Sequence, residues 1–201
     1  MDKGNMKNTV GSEIMETIGD INLDLEDRDR LSLMLNFIVF DTQRAIFDLI
    51  KLEHFGSASA LLRVLFEAHV KAEWLKNCAS EKQVEQFKSD HVKSRKKPKN
   101  QINFQEMVED LESKKKHLNG SLQDFKDNHW KGLNSFTHSG LMQLSQFQGS
   151  PRGAEANPES TIDFANRFAI QSLGNAGIIM KNVTMIKKSI HLSERVLGIS
   201  I

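Results

Sequence analysis

The sequence has little cysteine and no long apolar run, and both absences restrict what the chain can be. Its 201 residues include one cysteine, Cys78, so neither an internal disulfide nor a Cys/His set for structural zinc can be assembled. No run reaches about 18 uninterrupted apolar residues, which excludes a transmembrane helix. Residues 1–10 lack the apolar segment of a signal peptide. These absences predict a soluble, cytoplasmic domain without a membrane partner.

Several sequence motifs that indicate a particular enzymatic chemistry are also missing. The chain has no glycine-rich phosphate loop and no nucleophile elbow. No glutamate is followed three residues later by histidine, as di-metal carboxylate bundles require. We therefore expect no cofactor and no metal site.

The composition is that of a folded domain, with 39% hydrophobic and 26% charged residues and a net charge of +1. The charges are unevenly distributed, since residues 1–56 hold six basic and eleven acidic groups and residues 164–201 hold five and one. This asymmetry fits a mixed solvated surface, and it also fits a fold with one side that attracts polyanions.

Apolar residues recur at three- and four-residue steps almost everywhere, which predicts helices and no strands. The pattern predicts one helix over residues 27–55, ended by Gly56, and a second over residues 58–78, capped by Ser57 and apolar nearly all round. Further helices are predicted after a Ser80–Gln83 capping box, over residues 104–118, and from a Ser121 cap to residue 136. The first of these is expected to fade in the basic residues 93–99.

The last predicted helix begins at Pro158 and runs to about Val196. Gly174 and Gly177 lie inside it, where they either kink the helix or let another backbone approach. Because its stripe from Ile179 to Ile190 needs a partner, we expect a two-fold symmetric homodimer. The sequence thus predicts an all-α fold, a single domain over residues 1–201 formed by a bundle of five to seven helices with a long C-terminal helix. Residues 1–10 are expected to be a flexible N-terminus and residues 148–157 a loop.

A pair of oppositely charged residues lies in the middle of the most apolar helix. Arg63 and Glu67 are four residues apart and share one face. We expect them to be mostly buried and bonded to each other or to the helix of residues 134–138, so that Arg63→Ala costs about 3–5 kcal/mol. They form either a structural pair that fixes helix register or part of a polar site. His69, on a neighbouring face, is interpreted as a satisfied or surface histidine rather than a ligand.

A second polar segment runs from Leu133 to Gly140 and reads Leu-Asn-Ser-Phe-Thr-His-Ser-Gly. Asn134 and His138 share a helical face near an expected helix end, where the helix dipole favours an imidazolium suited to proton transfer. The alternative is a polar helix end with local caps.

Together, the Arg63/Glu67 helix and the Asn-x-x-Thr-His-x-Gly block resemble a group of uncharacterised bacterial all-helical proteins. That group is distantly similar to the HEPN helical-bundle superfamily (higher eukaryotes and prokaryotes nucleotide-binding), many members of which are metal-independent ribonucleases of toxin–antitoxin and phage-defence systems. The ribonuclease motif there is Arg, a polar residue, any three residues, and His. His138 and Asn134 match its last and second positions, and Leu133 stands where the arginine is expected.

The resemblance implies a stress- or defence-linked bundle that binds RNA, a nucleotide or a protein partner such as a cognate antitoxin. Catalysis, if present, would be metal-independent and would use His138, Asn134 and Arg63. Glu67, Lys131 and Thr137 are the candidate binding residues, with Arg63 or Lys131 replacing the missing arginine. The alternative is a non-catalytic dimeric interaction protein in which the Arg63–Glu67 pair is purely structural.

Overall fold

The computed structural model describes residues 8–19, 21, 24–89, 103–148 and 158–198. Within these ranges it contains nine α-helices and no strand, which confirms the all-α prediction. The helices are α1 (Thr9–Ile18), α2 (Asp27–Lys51), α3 (Phe55–Asn77), α4 (Glu81–Lys88), α5 (Phe104–Lys114), α6 (Ser121–Thr137), α7 (Leu141–Gln146), α8 (Pro158–Ile179) and α9 (Val183–Leu192).

The centre of the bundle is the antiparallel pair of α2 and α3, against which α8 packs. Their connection is only three residues long, which forces neighbouring helices to run in opposite directions. The apolar character of α3 is explained by its place, because Leu65, Phe66 and Trp74 are almost entirely buried. Helices α5 and α6 cover α3 on another side, and α1 and α9 pack on α8.

The turn between α2 and α3 comes earlier than the sequence predicts. Helix α2 ends at Lys51, and Glu53 adopts a left-handed backbone conformation with a φ of 62°. The amide of His54 then donates to the carbonyl of Leu49 at 2.8 Å and closes the helix end. Gly56, expected to end α2, lies inside α3 instead.

The predicted long C-terminal helix is divided into α8 and α9. Lys181 adopts a left-handed φ of 53°, and the side chain of Asn182 then accepts hydrogen bonds from the amides of Thr184 and Met185. Helix α9 folds back on α8, and a Cβ on Gly177 would lie 3.0 Å from the backbone nitrogen of Ile186. Gly177 therefore permits close approach, the second of the two roles proposed for it. The isoleucine stripe thus has a partner within its own chain, and the homodimer remains a prediction.

The N-terminal prediction is wrong for Thr9 and Val10, which belong to α1. The side chain of Asn8 accepts a hydrogen bond from the amide of Gly11 at 2.9 Å and caps the helix. Val10 and Ile14 are buried, and this anchors α1 against α8 and α9. Residues 1–7 lie outside the described residues.

The remaining differences concern short elements. Helix number exceeds the predicted five to seven because α1 and α7 lack sequence signals strong enough to be noticed and because α8 and α9 are separate. The Ser80–Gln83 capping box is present as predicted. Gln148 lies in a turn, whereas residues 149–157 of the expected loop and the basic residues 93–99 lie outside the described residues. None of the described helices combines the length and apolar character that a membrane crossing requires.

Candidate functional site

The site is centred on a contact between the middle of the bundle and the end of α6. Nη1 of Arg63, on α3, lies 2.7 Å from Nε2 of His138, the residue that follows the last turn of α6. The two residues are 75 positions apart in the sequence and are brought together because α3 packs against α6. Arg63 is half-buried, whereas His138 is exposed.

His138 is held in place by a tight reversal of the chain after α6. Its amide donates to the carbonyl of Asn134 at 3.0 Å, and Ser139 adopts a left-handed φ of 52°. The amide of Gly140 donates to the carbonyl of Ser135 at 2.7 Å. A Cβ on Gly140 would lie 2.9 Å from the Cα of Ser135, so only glycine allows the chain to fold back this closely.

Arg63 is fixed on three sides. Its Nε donates to Oε1 of Glu67 at 2.7 Å, and its Cζ lies 5.1 Å from the ring centroid of Trp130. Trp130 is in turn stacked on Phe104, with ring centroids 4.7 Å apart and an interplanar angle of 11°. Nη2 makes no hydrogen bond to any residue that the structure describes, so the guanidinium keeps donors for a further ligand.

The contact between Arg63 and His138 has a defined donor. A guanidinium is always charged and can only donate hydrogen bonds. In this contact Arg63 therefore donates and Nε2 of His138 accepts. A nitrogen that accepts a hydrogen bond in this way offers the lone pair that proton transfer requires.

Glu67 and Lys71 extend the charged group along α3. Lys71 donates to Oε2 of Glu67 at 3.2 Å, so one carboxylate lies between two cations. Burial alone would raise the pKa of Glu67, but the hydrogen bonds and charges of Arg63 and Lys71 outweigh it, and the pKa lies below its ordinary value. The group formed by Arg63, Glu67 and Lys71 therefore carries a net positive charge.

This group opens into a groove of about 370 Å³ between α2, α3 and the end of α6. The side chains of Arg63 and Glu67 are 22% and 23% exposed, so they are largely but not completely buried. Ile38 and Val64, both more than 40% exposed, form part of an apolar rim beside the charged residues. Polar groups with free donors and an apolar rim are typical of a ligand site.

The predicted site residues are only partly assembled. Arg63, Glu67 and His138 meet as described, and Thr137 lines the groove, although its hydroxyl donates to the carbonyl of Leu133. Asn134 does not line the groove, and its Oδ1 is sealed without a partner among the described residues. Lys131 is exposed on α6 and is not among the residues that line the groove in the described part of the chain.

Sequence reasoning missed two members of the site. Lys71 lies four residues after Glu67, so the same spacing that linked Arg63 to Glu67 would have identified it. Trp130 carries no local signal for its contact with Arg63, because that contact depends on how α3 and α6 pack. His69, interpreted as a satisfied or surface histidine, is buried, and one of its ring nitrogens is bonded, with Nδ1 2.9 Å from Oγ of Ser172. No three His, Cys, Asp or Glu side chains within the described ranges are grouped as a metal site.

Comparison with protein families assigns the chain to one family. Residues 37–196 match the model of DUF6988, described as a family of unknown function. The chain belongs to the DUF6988 family. The DUF6988 match includes both Arg63 and His138, together with every helix from α3 to α9. No curated protein and no solved structure matches the chain.

Proposed function

We propose that the chain is a HEPN-like RNA-binding protein that cleaves RNA without a metal, with Arg63 binding the scissile phosphate and His138 transferring the proton. The observation that carries the proposal is the 2.7 Å contact between Nη1 of Arg63 and Nε2 of His138 in an open groove. A phosphate that is bound by Arg63 would lie within reach of the imidazole without a change in the fold. The proposal includes a role in bacterial stress or phage defence, which is supported by the resemblance to HEPN proteins.

The geometry supports Arg63 as a replacement for the arginine that HEPN ribonucleases carry before the motif histidine. Leu133, at that position, is 4% exposed and belongs to the hydrophobic core. A guanidinium supplied from α3 approaches the same histidine from the neighbouring helix. It offers the paired donors that phosphate oxygens accept, which a lysine at position 131 would offer only as a point charge.

The reaction that fits this pair is an internal transesterification of RNA. The ribose 2′-oxygen attacks phosphorus, its proton passes to Nε2 of His138, and the bond from phosphorus to the 5′-oxygen breaks. Water supplies the proton for the departing 5′-oxygen, and the imidazolium returns its proton to solvent. Arg63 balances the negative charge that grows on the phosphate oxygens. The products are a 2′,3′-cyclic phosphate and a 5′-hydroxyl.

Substrate has to compete with His138 for Nη1 of Arg63. The Glu67 carboxylate already accepts the Nε hydrogen, so phosphate binds through Nη1 and Nη2 and displaces the contact with His138. Lys71 holds the other carboxylate oxygen and keeps Glu67 directed away from the phosphate. Glu67 thus orients the guanidinium, and Glu67→Gln should weaken RNA binding less than Arg63→Ala.

The proposal is tested with a labelled single-stranded RNA in the presence of a chelator. The wild type should bind and cut the RNA, and His138→Ala should bind it with similar affinity and leave it intact. His191→Ala is the matched control, because His191 is an exposed histidine on α9, which packs on α1 and α8. Binding without cleavage by the wild type would reject the catalytic role of His138, and absence of binding would reject the RNA proposal.

A second candidate function is a non-catalytic interaction protein that binds a second copy or a protein partner such as an antitoxin. The observation that favours it is the apolar surface of α7, where Leu141 is 80%, Leu144 61% and Phe147 49% exposed. Sedimentation at tens of micromolar tests the homodimer. A dimer that dissociates in Leu141→Asn/Leu144→Asn would support this function, and a monomer in the wild type would contradict self-association.

A further inference from the structure

A second cavity lies on the other side of α3 from the groove. It has a volume of about 370 Å³ and is enclosed by α3, α5, the start of α6 and α8. Leu122 and Phe125 from the first turns of α6 line it, whereas the groove is reached by Thr137 and His138 at the opposite end of that helix. The two sites therefore share no lining residue. The wall of the cavity combines polar and charged side chains, His69 and Arg167 among them, with six apolar ones: Val70, Leu111, Leu118, Leu122, Phe125 and Phe168.

Two aromatic rings of this wall suit a flat ligand. The centroids of Phe125 and Phe168 lie 5.0 Å apart, with an interplanar angle of 74°. Phe168 is 3% exposed and fixed within the core, and Phe125 is half-buried. A flat unsaturated ring in the cavity would stack on one ring and meet the edge of the other, which are the two favoured arrangements of aromatic pairs.

His69 provides a buried polar group in the same cavity. The residue is 6% exposed, and its Nδ1 lies 2.9 Å from Oγ of Ser172. Nε2 has no hydrogen-bond partner among the described residues. The atom nevertheless keeps some accessible surface, and since His69 lines the cavity, Nε2 opens into it. Burial lowers the pKa of His69 to about 4, and the ring is neutral at neutral pH. It presents one uncharged hydrogen-bonding nitrogen to a ligand.

The mouth of the cavity carries a free cation. Arg167, on α8, is exposed and forms no ion pair with any residue in the described ranges. Lys115 also lines the cavity, where it is bonded to Glu73. Together, Arg167, Lys115 and Glu73 leave one positive charge at the opening. A largely apolar interior, a neutral polar atom and a charged mouth together match a small-molecule site.

We infer that this cavity binds a small molecule in which a flat unsaturated ring carries an anionic group. The ring packs against the cavity-facing surfaces of Phe125 and Phe168, which are themselves in contact, and makes a hydrogen bond to Nε2 of His69. The anionic group, a carboxylate or a phosphate, lies at the mouth on Arg167. The inference is independent of RNA cleavage, because it uses none of the residues of the groove.

The test is calorimetric titration of the full chain with two charged probes and their uncharged counterparts. Indole-3-carboxylate and adenosine monophosphate combine a ring with an anion, and indole and adenosine lack the charge. At least one charged probe should bind with a stoichiometry of one, and its uncharged counterpart should bind at least about tenfold more weakly. The probe that binds distinguishes a carboxylate from a phosphate. Failure of both charged probes to bind at millimolar concentration overturns the inference.

Two variants locate the binding. Arg167→Gln should weaken the charged probe about tenfold and leave the uncharged one unchanged, whereas Arg44→Gln, at an exposed arginine of α2 outside the cavity, should change neither. Leu122→Trp should fill the cavity and abolish binding. The imidazole resonances of His69 should also shift on addition of the bound probe. If Arg167→Gln leaves the affinity for the charged probe unchanged and the His69 resonances do not shift, the probe binds elsewhere and the inference is overturned.

Discussion

The structure lowers the loss of stability that is expected when Arg63 is replaced by alanine. The substitution removes the ion pair with Glu67, the hydrogen bond to His138 and the cation–π contact with Trp130. A partly exposed ion pair four residues apart contributes about 0.5 kcal/mol, a hydrogen bond about 1 kcal/mol and a cation–π contact about 0.5–1 kcal/mol. We therefore expect Arg63→Ala to lower the free energy of unfolding by about 2 kcal/mol.

That value lies below the 3–5 kcal/mol expected for a sealed pair, because solvent reaches both side chains from the groove and stabilises Glu67 when its partner is lost. Urea unfolding followed by circular dichroism measures the difference, with Arg44→Ala as the control for loss of an exposed arginine. Arg63→Lys, which retains the charge and the contact with the indole, should cost about half as much. A loss below about 0.5 kcal/mol would refute the contacts, and a loss above about 4 kcal/mol would refute the open groove.

Three further predictions concern the frame around the site. Gly177→Ala should destabilise the fold by about 1–2 kcal/mol in thermal melts, because its Cβ would meet the backbone of Ile186. Gly174→Ala is the control. Its Cβ meets the movable hydroxyl of a serine, and its stability should stay within about 0.5 kcal/mol of the wild type. Hydrogen bonds from Arg195 and Lys188 lower the pKa of Glu13 to about 2. The stability that ionised Glu13 contributes is therefore complete above the unfolded pKa of 4.5 and is lost as the pH falls towards 2. Between these pH values, the free energy of unfolding of Glu13→Gln should fall by about 1–2 kcal/mol less than that of the wild type. Asn182→Ala removes the cap of α9 and should cost about 1 kcal/mol by chemical unfolding, and an unchanged midpoint would contradict the cap.

The sequence predicted the helical class and the centre of the bundle because those features depend on apolar periodicity. Leu65 and Trp74 are buried as the uniformly apolar helix required. Helix ends were less predictable. Glu53 and Lys181 both reverse the chain in a left-handed conformation that glycine favours, so residue type gave no indication that the helices end there.

The site was predictable where its residues share one helix. Arg63 and Glu67 were identified from four-residue spacing, and the same rule would have added Lys71. The contact between Arg63 and His138 could be named only as a requirement of the catalytic hypothesis. It could not be predicted, because it spans 75 positions and depends on the packing of α3 on α6. The second cavity could not be foreseen at all, since Arg167 and His69 come from two helices and carry no common motif.

The central claim is that Arg63 and His138 act together on one phosphodiester, and a double-mutant cycle of cleavage tests it most directly. Single-turnover rates on one RNA in chelator would be measured for the wild type, Arg63→Ala, His138→Ala and the double variant. If the two side chains act as a unit, each single substitution removes most of the rate and the double variant is scarcely slower than either. Effects that multiply across the cycle, or a rate in His138→Ala equal to that of the wild type, would contradict the account.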